Sequence, residues 1–282
     1  CWARVVKGLL GGHSGERIGD GRGNALRTMA MALAALQAKG NVELATFTGG
    51  KARNAIPNDA KAVIVTNLPK ADIEAVLNDQ RERFQKMYGN VDPDMVFVLT
   101  SVGKPAQVIA AEDTTRLIRL LTILHTGVYA MSTVIPGLVE TSANLGVVTM
   151  DDGEVAVQYF PRSAVDQKLD EFRFMAEEWA ELTGFTAHIG TQSPGWKENK
   201  DSKLAKIMAE TFKEQNGSEM KVETIHAGLE CGWHFLKNPN LDMVSIGVTT
   251  IDIHSPNEKL LLETVKPQVD LIIETIHKIA KQ

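Results

Sequence analysis

The sequence predicts an α/β protein in two parts. Short β-patterned runs alternate with amphipathic helical runs from the first residues onward, and their order repeats before about residue 190. There the polar, turn-rich stretch TQSPGWKENKDS breaks the pattern, and the alternation then resumes. With 282 residues, 44% of them hydrophobic, the chain can build one large or two ordinary domains with real cores.

The elements follow in order. Residues 3–10 read as a strand, and 21–38 as a helix with Ala25, Met29, Ala32, Leu33 and Leu36 on one face. VELATFTGG and AKAVIVTN are strands joined by KARNAIPND, and KADIEAVLNDQRERFQKMYG is an amphipathic helix ending at Gly89. DMVFVLTSV is a strand and EDTTRLIRLLTILHTG a helix. TSANLGVVTM and EVAVQYFPRS form a hairpin around the strong turn signal DDG. A helix ending at Gly184 and a short strand, FTAHIG, close the series.

Strand–helix–strand–strand–helix–strand, met twice with a shared middle strand, is ferredoxin-like in order. Residues 1–190 are therefore expected as two such βαββαβ units. Residues 191–282 read as a helix (KLAKIMAETFKEQNG), a strand (MKVETI), a short helix over Glu230–Leu236, a strand (DMVSIG) and a long helix from about Asn257. That is α/β alternation too short for a complete domain. Together with a start inside a strand, CWARVV, it leads to the expectation of the C-terminal portion of a longer protein.

Composition excludes several classes. A formal net charge of -5 lacks the basic excess of a general nucleic-acid binder. No apolar run is long enough to span a bilayer and there is no signal peptide, so neither nucleic acid nor membrane is expected as a partner. Cys1 and Cys231 form no CxxC pair, which fits a reducing, cytoplasmic setting. HExxH, Walker and GxSxG elements are all missing, and GDGRGN has GxGxG rather than dinucleotide spacing.

The candidate chemistry sits at strand ends. In GLLGGHSGERIGDGRGN, His13 stands on a glycine-flanked backbone able to approach another surface closely, although glycine turns with an incidental histidine are common. KARNAIP offers Arg53 and Asn54, and YFPRSAV offers Arg162 at the matching point of the second unit. Arginine grips a carboxylate through two parallel hydrogen bonds; a surface charge and a turn former are the equally simple readings. IHAGLECG places His226, Gly228 and Glu230 on one turn. His254 follows a strand, where an imidazole can ligate metal, while Ser255, Pro256 and Glu258 have a full structural explanation as a capping box. His125, His188, His234 and His277 fall in or beside regular elements and read as structural.

Five segments, GLLGGHSGERI, GGKARNAIP, GLVETSANLGVVTM, IHAGLECG and DMVSIG…HSPNE, together resemble the aminoacyl-histidine dipeptidases. These Xaa-His (β-alanyl-histidine) dipeptidases are relatives of carnosinase among the di-zinc metallopeptidases. The resemblance implies a zinc catalytic domain interrupted by a lid: residues 1–190 as lid and dimerisation domain, 191–282 as the C-terminal part of the catalytic domain. It implies His254 as a metal ligand, His13 as the donor to the oxyanion, and Asn54, Arg162 and Gly228 as substrate-binding residues. It also implies two zinc ions, with manganese or cobalt possible, a dipeptide substrate and a homodimer formed through the lid. The general base and most ligands would lie upstream, leaving these residues alone inactive. One departure stands out, since SIGVTTIDIHSP lacks the proline usual after SIG, which bears on the Xaa-His preference. The alternatives are a non-catalytic dimerisation or binding module, and a related metallopeptidase with another dipeptide preference.

Overall fold

The computed structural model describes residues 1–133, 135–151, 153–191, 194–196, 199–223, 226, 229–251 and 258–281. The chain divides into two compact units, Cys1–Thr191 and Gln192–Gln282.

The first unit runs β1 (Trp2–Lys7), β2 (Gly12–His13), α1 (Ala25–Gln37), β3 (Val42–Gly49), β4 (Ala55–Ile56), β5 (Ala60–Thr66), α2 (Lys70–Tyr88) and β6 (Val96–Ser101). It continues with α3 (Ala111–Ile123), β7 (Gly127–Met131), β8 (Val139–Asp151), β9 (Glu154–Ser163) and α4 (Asp166–Thr183). The main sheet has the order β6-β1-β5-β3-β8, with antiparallel neighbours throughout. β9 lines one edge of the long β8, whereas β7 and β3 share the other edge, β7 against its first half and β3 at Val148.

The helical face predicted for α1 is the one that is buried: Ala25, Met29, Ala32, Leu33 and Leu36 are all fully covered. They pack over β1, β3, β5 and β8, between α2 and α3. α1 starts at Ala25 rather than Gly21 because the Asn24 side chain accepts the Arg27 N–H at 3.1 Å, a side-chain N-cap.

The expected second unit does not repeat the first. FTAHIG forms no strand, and β7 stands before the hairpin instead. The reason lies at the end of α4, where the amides of Gly184 and Phe185 donate back to Glu181 and Ala180. Those bonds close the helix and bury Phe185 against the core, so the amide that would begin a strand is already engaged.

The second unit contains α5 (Lys203–Asn216), α6 (Glu230–Lys237), β10 (Thr250–Ile251), β11 (Lys259–Leu260) and α7 (Val265–Ala280). α5 and α7 pack together through Met208, Thr211, Leu271 and Thr275. The short helix near Glu230 is present. The strands expected over MKVETI and DMVSIG are not formed by residues 220–223 or 242–247. A strand exists only with a hydrogen-bonding neighbour, and none lies beside them among the described residues. The closing helix begins at Val265, not Asn257, because Lys259–Leu260 pairs with Thr250–Ile251. Pro267 agrees with this later start: it is tolerated in a first turn but would break the interior of a helix begun at 257. The capping box read from HSPNE lies mostly outside the described residues.

Candidate functional site

Three of the expected site residues come together in the first unit. His13 ends β2, which pairs antiparallel with β4 so that His13 faces Ala55 and Gly12 faces Ile56. The Ser14 amide then donates to the Asn54 carbonyl at 2.8 Å. His13 and Asn54 thus flank one small ribbon, although they are 41 positions apart (54 − 13). Both side chains are half-buried. His13 is further tied locally: its carbonyl accepts from Arg17 at 2.9 Å, and its Nδ1 accepts from the Glu16 amide at 3.4 Å.

The hairpin β8–β9 supplies the floor. Its register places Asn144 opposite Phe160 and Ser142 opposite Arg162. The Asn144 side chain is buried and donates to two carbonyls of the Asn54 segment, Arg53 at 3.0 Å and Ala55 at 2.8 Å. This seats the segment on the sheet. Gly146 allows it to lie so close, since a Cβ there would stand 2.7 Å from both the Cα and the carbonyl oxygen of Arg53.

Two guanidinium groups gather on this floor. Arg53 lies 5.0 Å and Arg162 4.7 Å from the centre of the Phe160 ring. Each gains from the negative face of the ring, but they repel one another. Burial first, and the charge of Arg53 second, push the Arg162 pKa below its ordinary value. The Arg162 Nε is buried with no hydrogen-bond partner among the described residues. A carboxylate is the group that relieves both problems, because it accepts from a guanidinium fork and neutralises the pair.

Gly228 and His254 lie outside the described residues. Sequence reasoning named Arg53 but gave the role to its neighbour Asn54, and it missed Phe160 and Asn144. Period two along FPR puts Phe160 and Arg162 on one face of a strand, a signal present in the sequence. Nothing local indicates that Asn144 reaches the Arg53–Ala55 segment.

Residues 5–92, which carry His13, Arg53 and Asn54, match the peptidase dimerisation domain. The chain is 34% identical over 276 residues to the cytosol non-specific dipeptidase of Escherichia coli (strain K12), covering 98% of this chain and 57% of that protein. It also superposes on the crystal structure of aminoacylhistidine dipeptidase from Vibrio alginolyticus with a TM-score of 0.83 and 36% identity, over 96% of this chain and 56% of that one. The chain thus spans somewhat more than half the length of the relatives it matches. The fold and these matches define a chain that carries a peptidase dimerisation domain. Over nearly its whole length the chain is similar to part of each of these two dipeptidases.

Proposed function

We propose that this chain forms the lid and the C-terminal catalytic portion of a dipeptidase that favours substrates with C-terminal histidine. The split βαβ order of β1, α1, β3, β5, α2 and β6 supports one ferredoxin-like unit, ending at Ser101, within a lid over residues 1–190. The matched dimerisation domain supports a homodimer formed through that lid. Among the described residues no helix is long and apolar enough to cross a membrane; together with the cytosolic relative, this supports a cytoplasmic enzyme.

One observation carries the reading: two guanidinium groups share the Phe160 ring, one with an unpartnered buried N–H, beside the ribbon that holds His13 and Asn54. Arg162, with Asn54, holds the terminal carboxylate of the dipeptide and so fixes the scissile bond in position. His13 donates to the oxygen on which charge develops during attack, where loss of one donor costs about 2.7–4 kcal/mol of barrier. The resemblance further implies Gly228 as a substrate-binding residue and His254 as a metal ligand.

Two zinc ions, with manganese or cobalt as substitutes, belong to the family chemistry. Among the described residues no group of three His, Cys, Asp or Glu side chains comes together as a metal site. The described residues therefore do not by themselves fit the metal, and the steps assigned here belong to His13, Asn54 and Arg162 alone.

The test is a panel of dipeptides on the full-length protein and its Arg162→Met variant. A raised KM for all free-carboxylate dipeptides, with no change for a C-terminal amide, is expected. Equal loss on acid and amide would overturn the assignment of Arg162. The name of the Escherichia coli relative, a non-specific dipeptidase, favours a second reading in which histidine is one accepted residue among many. The same panel distinguishes it, because a flat kcat/KM across C-terminal residues supports that second reading.

A further inference from the structure

The segment that carries His13 runs from Leu10 to Gly23 with little regular structure of its own, only β2 and one short 3-10 turn. A stretch of this kind would sample many positions unless something outside it held both ends. Asp92, in the turn that follows α2, does so. One carboxylate oxygen accepts from the Leu10 amide at 2.6 Å, and the other accepts from the Gly23 amide at 2.7 Å. Asp92 is 1% exposed, and its own amide donates to the Tyr88 carbonyl at 2.8 Å, so the anchor is fixed to the end of α2.

The same turn meets the segment once more. Gly8 has φ +88, and a Cβ there would fall 2.1 Å from the Asp94 carbonyl oxygen, so the chain enters the segment pressed against Asp94 and Met95. Between the anchored ends, Arg22 donates to the Gly11 carbonyl at 2.5 Å and pairs with Asp20 at 2.9 Å, which folds the segment back on itself. At the tip the segment is also tied outward, by the β2–β4 pairing and by the Ser14–Asn54 bond.

We propose that Asp92 is a positioning residue for His13, its carboxylate closing the Leu10–Gly23 segment so that the imidazole is held beside Asn54. It touches neither substrate nor reacting atoms and acts through the backbone. The proposal rests on the reading of His13 as the oxyanion donor.

The experiment compares Asp92→Asn, His13→Ala and the double variant in the full-length protein, with two readouts. Asparagine keeps the shape, but its amide nitrogen meets a backbone N–H where an acceptor is required. Amide hydrogen exchange over residues 10–23 should quicken by about tenfold or more, with exchange in α1 unchanged. The kcat should fall by about 10–100-fold with KM nearly unchanged, and Asp92→Asn should cost nothing further in the His13→Ala background. Unchanged exchange over 10–23, or an equal fall in kcat with and without His13, would overturn the proposal. Full turnover in His13→Ala would instead overturn the reading of His13, and with it the positioning role, whatever the exchange shows. Should Asp92→Asn fail to fold, Asp92→Ser, which still accepts one bond, serves for both readouts.

Discussion

Arg53 and Arg162 lie over the same Phe160 ring, at 5.0 and 4.7 Å from its centre, though 109 positions (162 − 53) separate them in the chain. Like charges brought together in this way cost stability unless something opposes them. Their placement is understandable as a site for an anion, and the cost should be visible in the protein without ligand.

Arg162→Met should therefore leave the melting temperature unchanged or raise it, while weakening carboxylate binding by about 10–100-fold, the worth of a charge-assisted bond. L-Histidine should raise the melting temperature of the wild type by mass action and do so much less for the variant. Differential scanning calorimetry with and without the ligand checks both halves. A variant less stable than wild type and equally responsive to histidine would contradict the site.

Gly146→Ala tests the seat of the Arg53–Ala55 segment. A Cβ at 2.7 Å from the Arg53 backbone forces that segment away from β8. Destabilisation of about 1–3 kcal/mol is expected, a typical cost of overpacking. A raised KM should accompany it, because Arg53 and Asn54 move with the backbone. Urea denaturation and steady-state kinetics measure the two effects.

Arg4 offers a stability prediction away from the site. It is 1% exposed on β1, and its three guanidinium nitrogens have no hydrogen-bond partner among the described residues. Burial lowers its pKa to about 9. Arg4→Met should stabilise the protein by about 1–4 kcal/mol at pH 7, as replacing a buried ion by an apolar side chain of similar volume often does. The sign with pH follows from linkage. Between about 9 and the ordinary value of 12.5 the unfolded state holds a proton that the folded state has lost, so wild-type stability gains with rising pH. The gap between variant and wild type should be full below pH 9 and narrow above it. Parallel denaturation curves at pH 7.5 and pH 10 decide the matter, and a gap that widens at pH 10 would refute it.

Metal content gives a further check. After extensive dialysis these 282 residues should retain well under one zinc ion per chain, since a stable site needs three or four ligands and the resemblance supplies only His254 within them. Elemental analysis measures it. Retention of two ions per chain would show a complete centre within residues 1–282.

Much of the first unit was legible in the sequence because its signals are local. Periodicity marked α1 and its buried face, alternation marked β3, β5, β8 and β9, and DDG marked the hairpin between the last two. FTAHIG, MKVETI and DMVSIG carried the same β-like pattern and formed no strands, because pattern records what a segment could bury and not whether a neighbour is there to pair with it. His13, Asn54 and Arg162 were candidates through their glycine-flanked or strand-end positions and through the motifs that carry the resemblance.

What the sequence by itself determined is therefore the element types, the α/β class, the family resemblance and the identity of the polar residues at strand ends. Only the tertiary structure decided that Arg53 joins Arg162 over Phe160, that Asn144 seats the Arg53–Ala55 segment, and that Asp92 closes the segment bearing His13. Each of these depends on groups far apart in the chain meeting within hydrogen-bond or ring-contact distance. Local propensity contains no term for that, because it is set by strand order, register and the few ångströms that a glycine such as Gly146 leaves open.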